Sequence, residues 1–403
     1  MRSFGILGCL GAFLLVVGVS GASAQTAAQV TNDRAAAIVV FPRVEVDTAN
    51  GVDTILEISN TDPENPVGLH CFYVNALGTC SQSGDPCLFD FECEGVLEGE
   101  TCVENWTTTD FRIIATLNQP LGWVASEGLQ FLPCDPANQP PQPPEGCPQE
   151  NSDIGGAGGS SIPPTDDPFF GELKCVRVSE TDQPVAENDL IGRATIHRAV
   201  DSTLDVATYN AIGIESTGTN DGDNVLCLGA NASGDCTTAE YASCPRTLIV
   251  NHFYDGATVA GDTVRTELTL VPCTEFQEPR PGQTSPDTVR TRVQILTFNE
   301  FEQRLSAIEQ VECYRNLRLA DIDTRPGFEG DDSTSIFWVG TQGTIGGQTR
   351  LRAISDDHTD HGHGILAIAT EFRSGTSVQS ASTNVYYENA TTQADIIRLQ
   401  LGP

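Results

Sequence analysis

The stretch SDDHTDHGHG, residues 355–364, holds three of the chain's six histidines and three aspartates. Neutral imidazole nitrogens and carboxylates are ligands for zinc, copper or nickel. His358 and His361 lie three residues apart, and His361 and His363 lie two apart. In an extended segment the second pair shares one side. With Asp360 between them, His358, His361 and His363 form the candidate metal set of this sequence, and Asp356 and Asp357 stand close by. Two features oppose it. Gly362 and Gly364 loosen the segment, and no HExxH helix supplies the general base of a zinc protease. Aspartate, glycine and histidine are also what a solvated hairpin loop uses, and that reading is preferred.

Other chemistry is thinner. No GxSxG elbow, P-loop or helix-opening GxGxxG is present, so no catalytic residue is assigned and a non-enzyme is expected. Residues 220–224 (NDGDN) and 329–332 (EGDD) are acidic turns able to hold calcium, but neither follows the EF-hand register. His70 and His197 fall in strand-like runs and read as sheet-face residues. Trp106, Trp123 and Trp338 read as core. No cofactor is assigned, with zinc or calcium as the ions these motifs would take.

Compartment frames these motifs. The chain opens with one arginine, an apolar run and Ala22-Ser23-Ala24, the pattern of a signal peptide ending at residue 24. No later segment is apolar enough to span a bilayer. The net charge is −34, with a single lysine, Lys174. Such a surface disfavours nucleic acid and anionic lipid. Of fourteen cysteines only Cys9 lies in the leader, and the others point to disulfides in an oxidising compartment, periplasmic or extracellular. Their number is odd, so at least one is free or pairs between molecules. Cys80, Cys87, Cys93 and Cys102 crowd a segment too poor in apolar residues to fold alone. They read as a disulfide knot rather than a zinc site, since the gaps lack CxxC knuckles. Cys134 and Cys147 bracket a proline-rich loop. Cys71 can bridge to Cys175 between sheets, or pair with Cys80.

The elements that must position these residues are strands. IVVFPRVEV, TILEIS, VGLHCFYV, DFRIIATL, GELKCVRV, LIGRATIH and YNAIGI are short, β-branched or aromatic, and bounded by turn residues. A second series runs from TLIVNHFY to DIIRLQL. No long helical pattern separates them, so parallel βαβ units are not expected. The expected fold is all-β: two antiparallel immunoglobulin-like β-sandwich domains, a small disulfide-rich insert and one short helix. Residues 25–216 form the first domain, with the Cys-rich insert at 80–102 and a Pro/Gly-rich loop at 135–168. Residues 217–244 form a Cys-containing linker or insertion, and 245–403 the second domain. The helix is expected near 300–310, capped by Asn299, with Phe301, Leu305 and Ile308 on one face. The halves also match each other weakly. In GELKCVRV…LIGRATIHRA and TRLRAI…GILAIATEF, the loop 179–189 falls opposite 355–364, and it carries no histidine.

At TILEISNTDPENPVGLHCFYVNA and FNEFEQRLSAIEQVECYRNLRLADID the chain resembles secreted bacterial proteins built from immunoglobulin-like sandwiches. That resemblance is structural and carries over no catalytic residue. The leading expectation is an exported, non-enzymatic structural or interaction protein with a protein or glycan partner. The alternatives are a metal-binding protein using residues 356–363 and a calcium-dependent module for glycans or matrix.

Overall fold

Valine, isoleucine, threonine and aromatic side chains fit a pleated surface better than a helix. The runs rich in them pair side by side in the computed structural model. It describes residues 29–88, 93, 100–103, 107–129, 161–179, 181–200, 203–229, 236, 238–253, 258–259, 262–274, 291–311, 314–319, 322, 346–354, 364–375, 378–388 and 395–399. The protein is all-β, and its strand ladders are antiparallel. No helix of the described residues is long and apolar enough to cross a membrane.

The first nine main strands are β1 (Ile38–Val46), β2 (Val52–Asn60), β3 (Val67–Asn75), β4 (Thr107–Ala115), β5 (Pro120–Val124), β6 (Phe169–Val178), β7 (Leu190–Val200), β8 (Thr203–Asn210) and β9 (Ile212–Ile214). They build sheet I, in the order β9-β1-β6-β3-β4, and sheet II, in the order β8-β7-β2-β5. YNAIGI is therefore not one strand. The chain leaves β8 at Asn210 and enters β9 at Ile212, passing from sheet II to sheet I.

After β10 (Val225–Leu228) come β11 (Thr247–Phe253), β12 (Asp262–Pro272), β13 (Thr291–Asn299), β14 (Arg304–Val311), β15 (Arg315–Arg318), β16 (Gly346–Ile354), β17 (Ile365–Ser374), β18 (Val378–Asn384) and β19 (Tyr386–Glu388). Sheet III runs β19-β11-β16-β13-β14, and sheet IV runs β18-β17-β12-β15. Each strand of the second set occupies the place of the strand numbered ten lower in the first. The same nine-strand order is used twice. The segment between the sets is tied to the end of the chain, because β10 pairs with β20 (Asp395–Arg398).

Sheets I and II enclose Phe41, Tyr73, Leu173, Trp123 and Ile196, and the Trp123 indole N–H donates to the Tyr73 hydroxyl at 2.6 Å. The sheets approach closely at Gly192, where a Cβ would lie 2.5 Å from the Phe41 ring. The other side of sheet I is buried as well, since Ile38, Val40, His70, Phe72, Lys174 and Val176 have no exposed surface. The same continuous core takes in Val271, Leu366 and Ile368 from sheet IV. Burial on both sides explains why IVVFPRVEV and VGLHCFYV read as nearly unbroken apolar runs. In sheet III, β13 instead alternates buried with more open positions, and β14 half-buried with exposed ones.

Two sequence expectations are overturned here. The helix near 300–310 is a hairpin joining β13 to β14. Asn299 closes the turn, its side-chain oxygen accepting from the Phe301 and Gln303 backbone N–H groups at 2.9 and 3.0 Å. Glu302 sits there at φ 61°. In β14 Leu305 and Ala307 turn inward, whereas Ile308 is 65 % exposed and Phe301 58 % exposed. The supposed helical face is thus divided between sides at period two. The Cys71–Cys175 bridge forms, but within sheet I, because the register sets Cys71 of β3 directly opposite Cys175 of β6.

The remaining bridges among the described residues are Cys80–Cys93, Cys87–Cys102, Cys227–Cys236 and Cys244–Cys273. Cys134, Cys147 and Cys313 lie outside the described residues.

Candidate functional site

His358, Asp360, His361 and His363 lie outside the described residues, as does the acidic turn at 329–332. The attachment points of the histidine loop are described. It leaves β16 at Ile354 in sheet III and re-enters at Gly364 before β17 in sheet IV. Those strands do not pair with each other, so the loop crosses between sheets and is not a hairpin. Its exit is fixed by packing and charge. A Cβ at Gly364 would lie 2.1 Å from the Cys244 Cβ, so only glycine fits. The Gly364 N–H donates to Asp395 at 3.3 Å, and Arg246 pairs with the same carboxylate at 3.0 Å. Burial outweighs that arginine and pushes the Asp395 pKa up to about 6.

The corresponding loop of the first set, residues 179–189, joins β6 to β7 and also crosses between sheets. It has no histidine of its own but captures one from β3. Asp182 meets His70 Nδ1 at 3.2 Å and also pairs with Arg112 of β4. Asp110 of β4 meets His70 Nε2 at 3.2 Å, and the ring stacks on Phe72 with centroids 4.6 Å apart. Burial alone would lower the His70 pKa, but the bonds to Asp110 and Asp182 together raise it. Protonated, both ring nitrogens donate, and neither keeps a lone pair for a metal or a substrate proton. In that form His70 ties β3 and β4 to the loop. At the equivalent place in the second set the register puts Gln294, beside Ile308.

The acidic turn at 220–224 is committed to the backbone. Asn220 accepts from Gly222 N–H at 2.6 Å, Asp223 from Val225 N–H at 2.7 Å, and Glu240 from Asp221 and Cys227 N–H at 2.9 and 3.0 Å. Burial raises the Glu240 pKa against those bonds. Among the described residues the only clustered metal-ligating set is Cys80, Cys87 and Cys93, whose sulfurs are held in disulfides and offer no thiolate.

Charged chemistry concentrates instead between the strand sets and on one open face. Arg43 of β1 pairs with Glu45 and, at 2.9 Å, with Glu267 of β12. Arg198 of β7 bonds Glu45 at 2.6 Å and Ser380 of β18 at 3.0 Å. Asp205 of β8 accepts from the Ser380 N–H at 2.7 Å. The guanidiniums of Arg43, Arg198 and Arg265 surround the Phe372 ring at 5.5, 5.0 and 4.5 Å. Buried Arg43 and Arg198, with half-exposed Arg265, face the carboxylates Glu45, Glu267 and Asp205, so three formal charges of each sign meet here.

The counterpart of the buried outer side of sheet I is the outer side of sheet III, and that side is open. Arg292, Arg304 and Arg352 are exposed there, and half-buried Arg350 lies between them in register. Ile308 and the 69 % exposed Tyr386 stand on the same sheet. A net charge summed over the whole chain hides this face. The available signal was the alternation of arginines in TRLRAI and RTRVQILTF, which on strands puts them on one side. Comparison of the chain with protein-family models, with curated proteins and with solved structures gives no match.

Proposed function

We propose that the chain is an exported, non-enzymatic interaction protein made of two immunoglobulin-like β-sandwich domains, residues 25–216 and 245–403, behind a leader at 1–24. The strand order repeated in two sheet pairs supports the two-domain reading. Five cystines among the described residues support folding in an oxidising compartment. The observation that carries the function is the open face of sheet III. Four arginines and exposed Ile308 and Tyr386 share it, in a chain of net charge −34. Sheet faces that carry both arginine and aromatic side chains are suited to contact with a partner.

The test uses dextran sulfate as an anionic probe. At low salt the wild-type protein is retained on the immobilised polymer in spite of its net charge, and Arg350→Glu/Arg352→Glu passes through. Equal behaviour of the two proteins would overturn the reading.

A further inference from the structure

Sheets I and III are topological counterparts, as are II and IV. Within the chain the outer side of sheet I is covered by the outer side of sheet IV, so one counterpart of each type is used internally. The unused pair is sheet III and sheet II. We propose that the outer face of sheet III docks on the outer face of sheet II of a second copy, repeating the internal packing between molecules. This rests on the reading of sheet III as the binding face and names its partner.

Three observations carry it. First, exposed apolar side chains are confined almost wholly to these faces. Of the seven large hydrophobics exposed among the described residues, Ile191, Leu204 and Val206 lie on sheet II, and Ile308 and Tyr386 on sheet III. Phe301 sits in the hairpin at the edge of sheet III, leaving only Val103 elsewhere.

Second, the internal contact supplies a register. Lys174 of β6 donates to the Pro272 carbonyl of β12 at 3.3 Å. Its counterpart on β16 is Arg350, and the counterpart of Pro272 is Asn60 on β2. Repeating the packing therefore brings Arg350 over the end of β2, three residues along the strand from Glu57.

Third, sheet II offers a receptacle. Glu57, Ser59, Ile191 and Arg193 line a cleft of about 330 Å³ together with Asp33 and Arg34, and Glu57 is paired with Arg193. A carboxylate accepts from more than one guanidinium, so Arg350 of a second copy joins Arg193 on Glu57. Because two different faces meet, the contact is heterologous, so copies add head to tail, into a ring where the rotation closes and a filament where it does not.

Sedimentation velocity on the full mature chain tests this. The wild-type mass should grow with concentration at low salt and fall toward the monomer as salt rises. Ile308→Asp/Arg350→Glu on one face and Leu204→Asp/Val206→Asp on the other should each sediment as monomers. An equimolar mixture of the two variants, each keeping one intact face, should yield a species of twice the monomer mass. Unchanged near-ultraviolet circular dichroism establishes that each variant is folded, and Arg350→Glu alone serves if the double variant is not. A wild-type protein that stays monomeric at millimolar concentration overturns the proposal. So does a mixture that forms no dimer, or assembly that only one variant abolishes, which would mean a symmetric contact. Retention on dextran sulfate by a strictly monomeric protein would overturn the second-copy partner and leave the binding face in place.

Discussion

β3 and β4 are joined by residues 76–106, a segment held by Cys80–Cys93 and Cys87–Cys102, whereas their counterparts β13 and β14 are joined by residues 300–303 alone. The strand order around both connections is identical. An antiparallel pair tolerates either solution, because its ladder fixes the register and the connection only has to return the chain. The same contrast recurs inside the sheets. Cys71 and Cys175 face each other at the centre of sheet I, and at the equivalent place in sheet III the register sets Ile295 opposite Leu351. One set uses a covalent link where the other uses apolar packing. Topology is therefore the shared property, and the side chains that enforce it are local choices.

Removing the link is the strongest way to break that equivalence. Cys71→Ala/Cys175→Ala opens a loop with a sequence separation of 104, which the chain-entropy treatment values at about 4.7 kcal/mol. Urea unfolding should show most of that loss. The Cys227–Cys236 bridge spans only 9, and its removal should cost about 2.6 kcal/mol by the same relation. Next in size is the interface between the sets. Glu267→Gln leaves buried Arg43 short of a charged partner and should destabilise by about 3 kcal/mol, measured as a shift in denaturant midpoint.

The two sets should also respond oppositely to pH. The His70 pKa is raised in the fold, so its stabilisation is complete below its unfolded value near 6.5 and is lost as pH rises through the folded value. Burial lowers the His252 pKa to about 4, so its stabilisation is present above 6.5 and is lost as pH falls toward 4. His70→Gln installs the residue of the second set. It should cost about 1.5–3 kcal/mol at pH 5.5 and much less at pH 9. His252→Gln should flatten only the acid limb. Asp395 works against His252, since its raised pKa means that stability falls as pH rises from about 4 to 6. Melting temperatures of the three single variants (Asp395→Asn being the third) across pH 4–9 separate these contributions.

The smallest effect distinguishes strand from helix in β14. Ile308→Ala should lose roughly a few tenths of a kcal/mol on an exposed strand, whereas a helix would gain a similar amount.

Much of this fold is legible in the sequence. The alternating strands are visible in TILEIS and TRLRAI, and the weak match between GELKCVRV and TRLRAI aligned β6 with β16, which the topology also does. The false helix arose because Phe301, Leu305 and Ile308 satisfy a helical spacing whatever the backbone does. Only tertiary pairing with β13 decides between the two. The site was less legible. The captured His70 depends on Asp110 and Asp182, which are distant in sequence, and no local motif announces it. The arginine face is hidden in a net charge of −34 summed over the whole chain. The histidine loop attracted attention through composition alone, which says nothing of where its ends are anchored.

Lys174 has a practical consequence. It is the single lysine of the chain, it has no exposed surface, and it pairs with equally buried Glu172 at 2.7 Å. Succinimidyl esters therefore find no side-chain amine on the native molecule, and lysine-directed crosslinking would miss any complex it forms. The same property makes Lys174 a reporter. Its acylation requires the contact between sheets I and IV to open, so the rate of amine labelling at one residue would read out separation of the two halves.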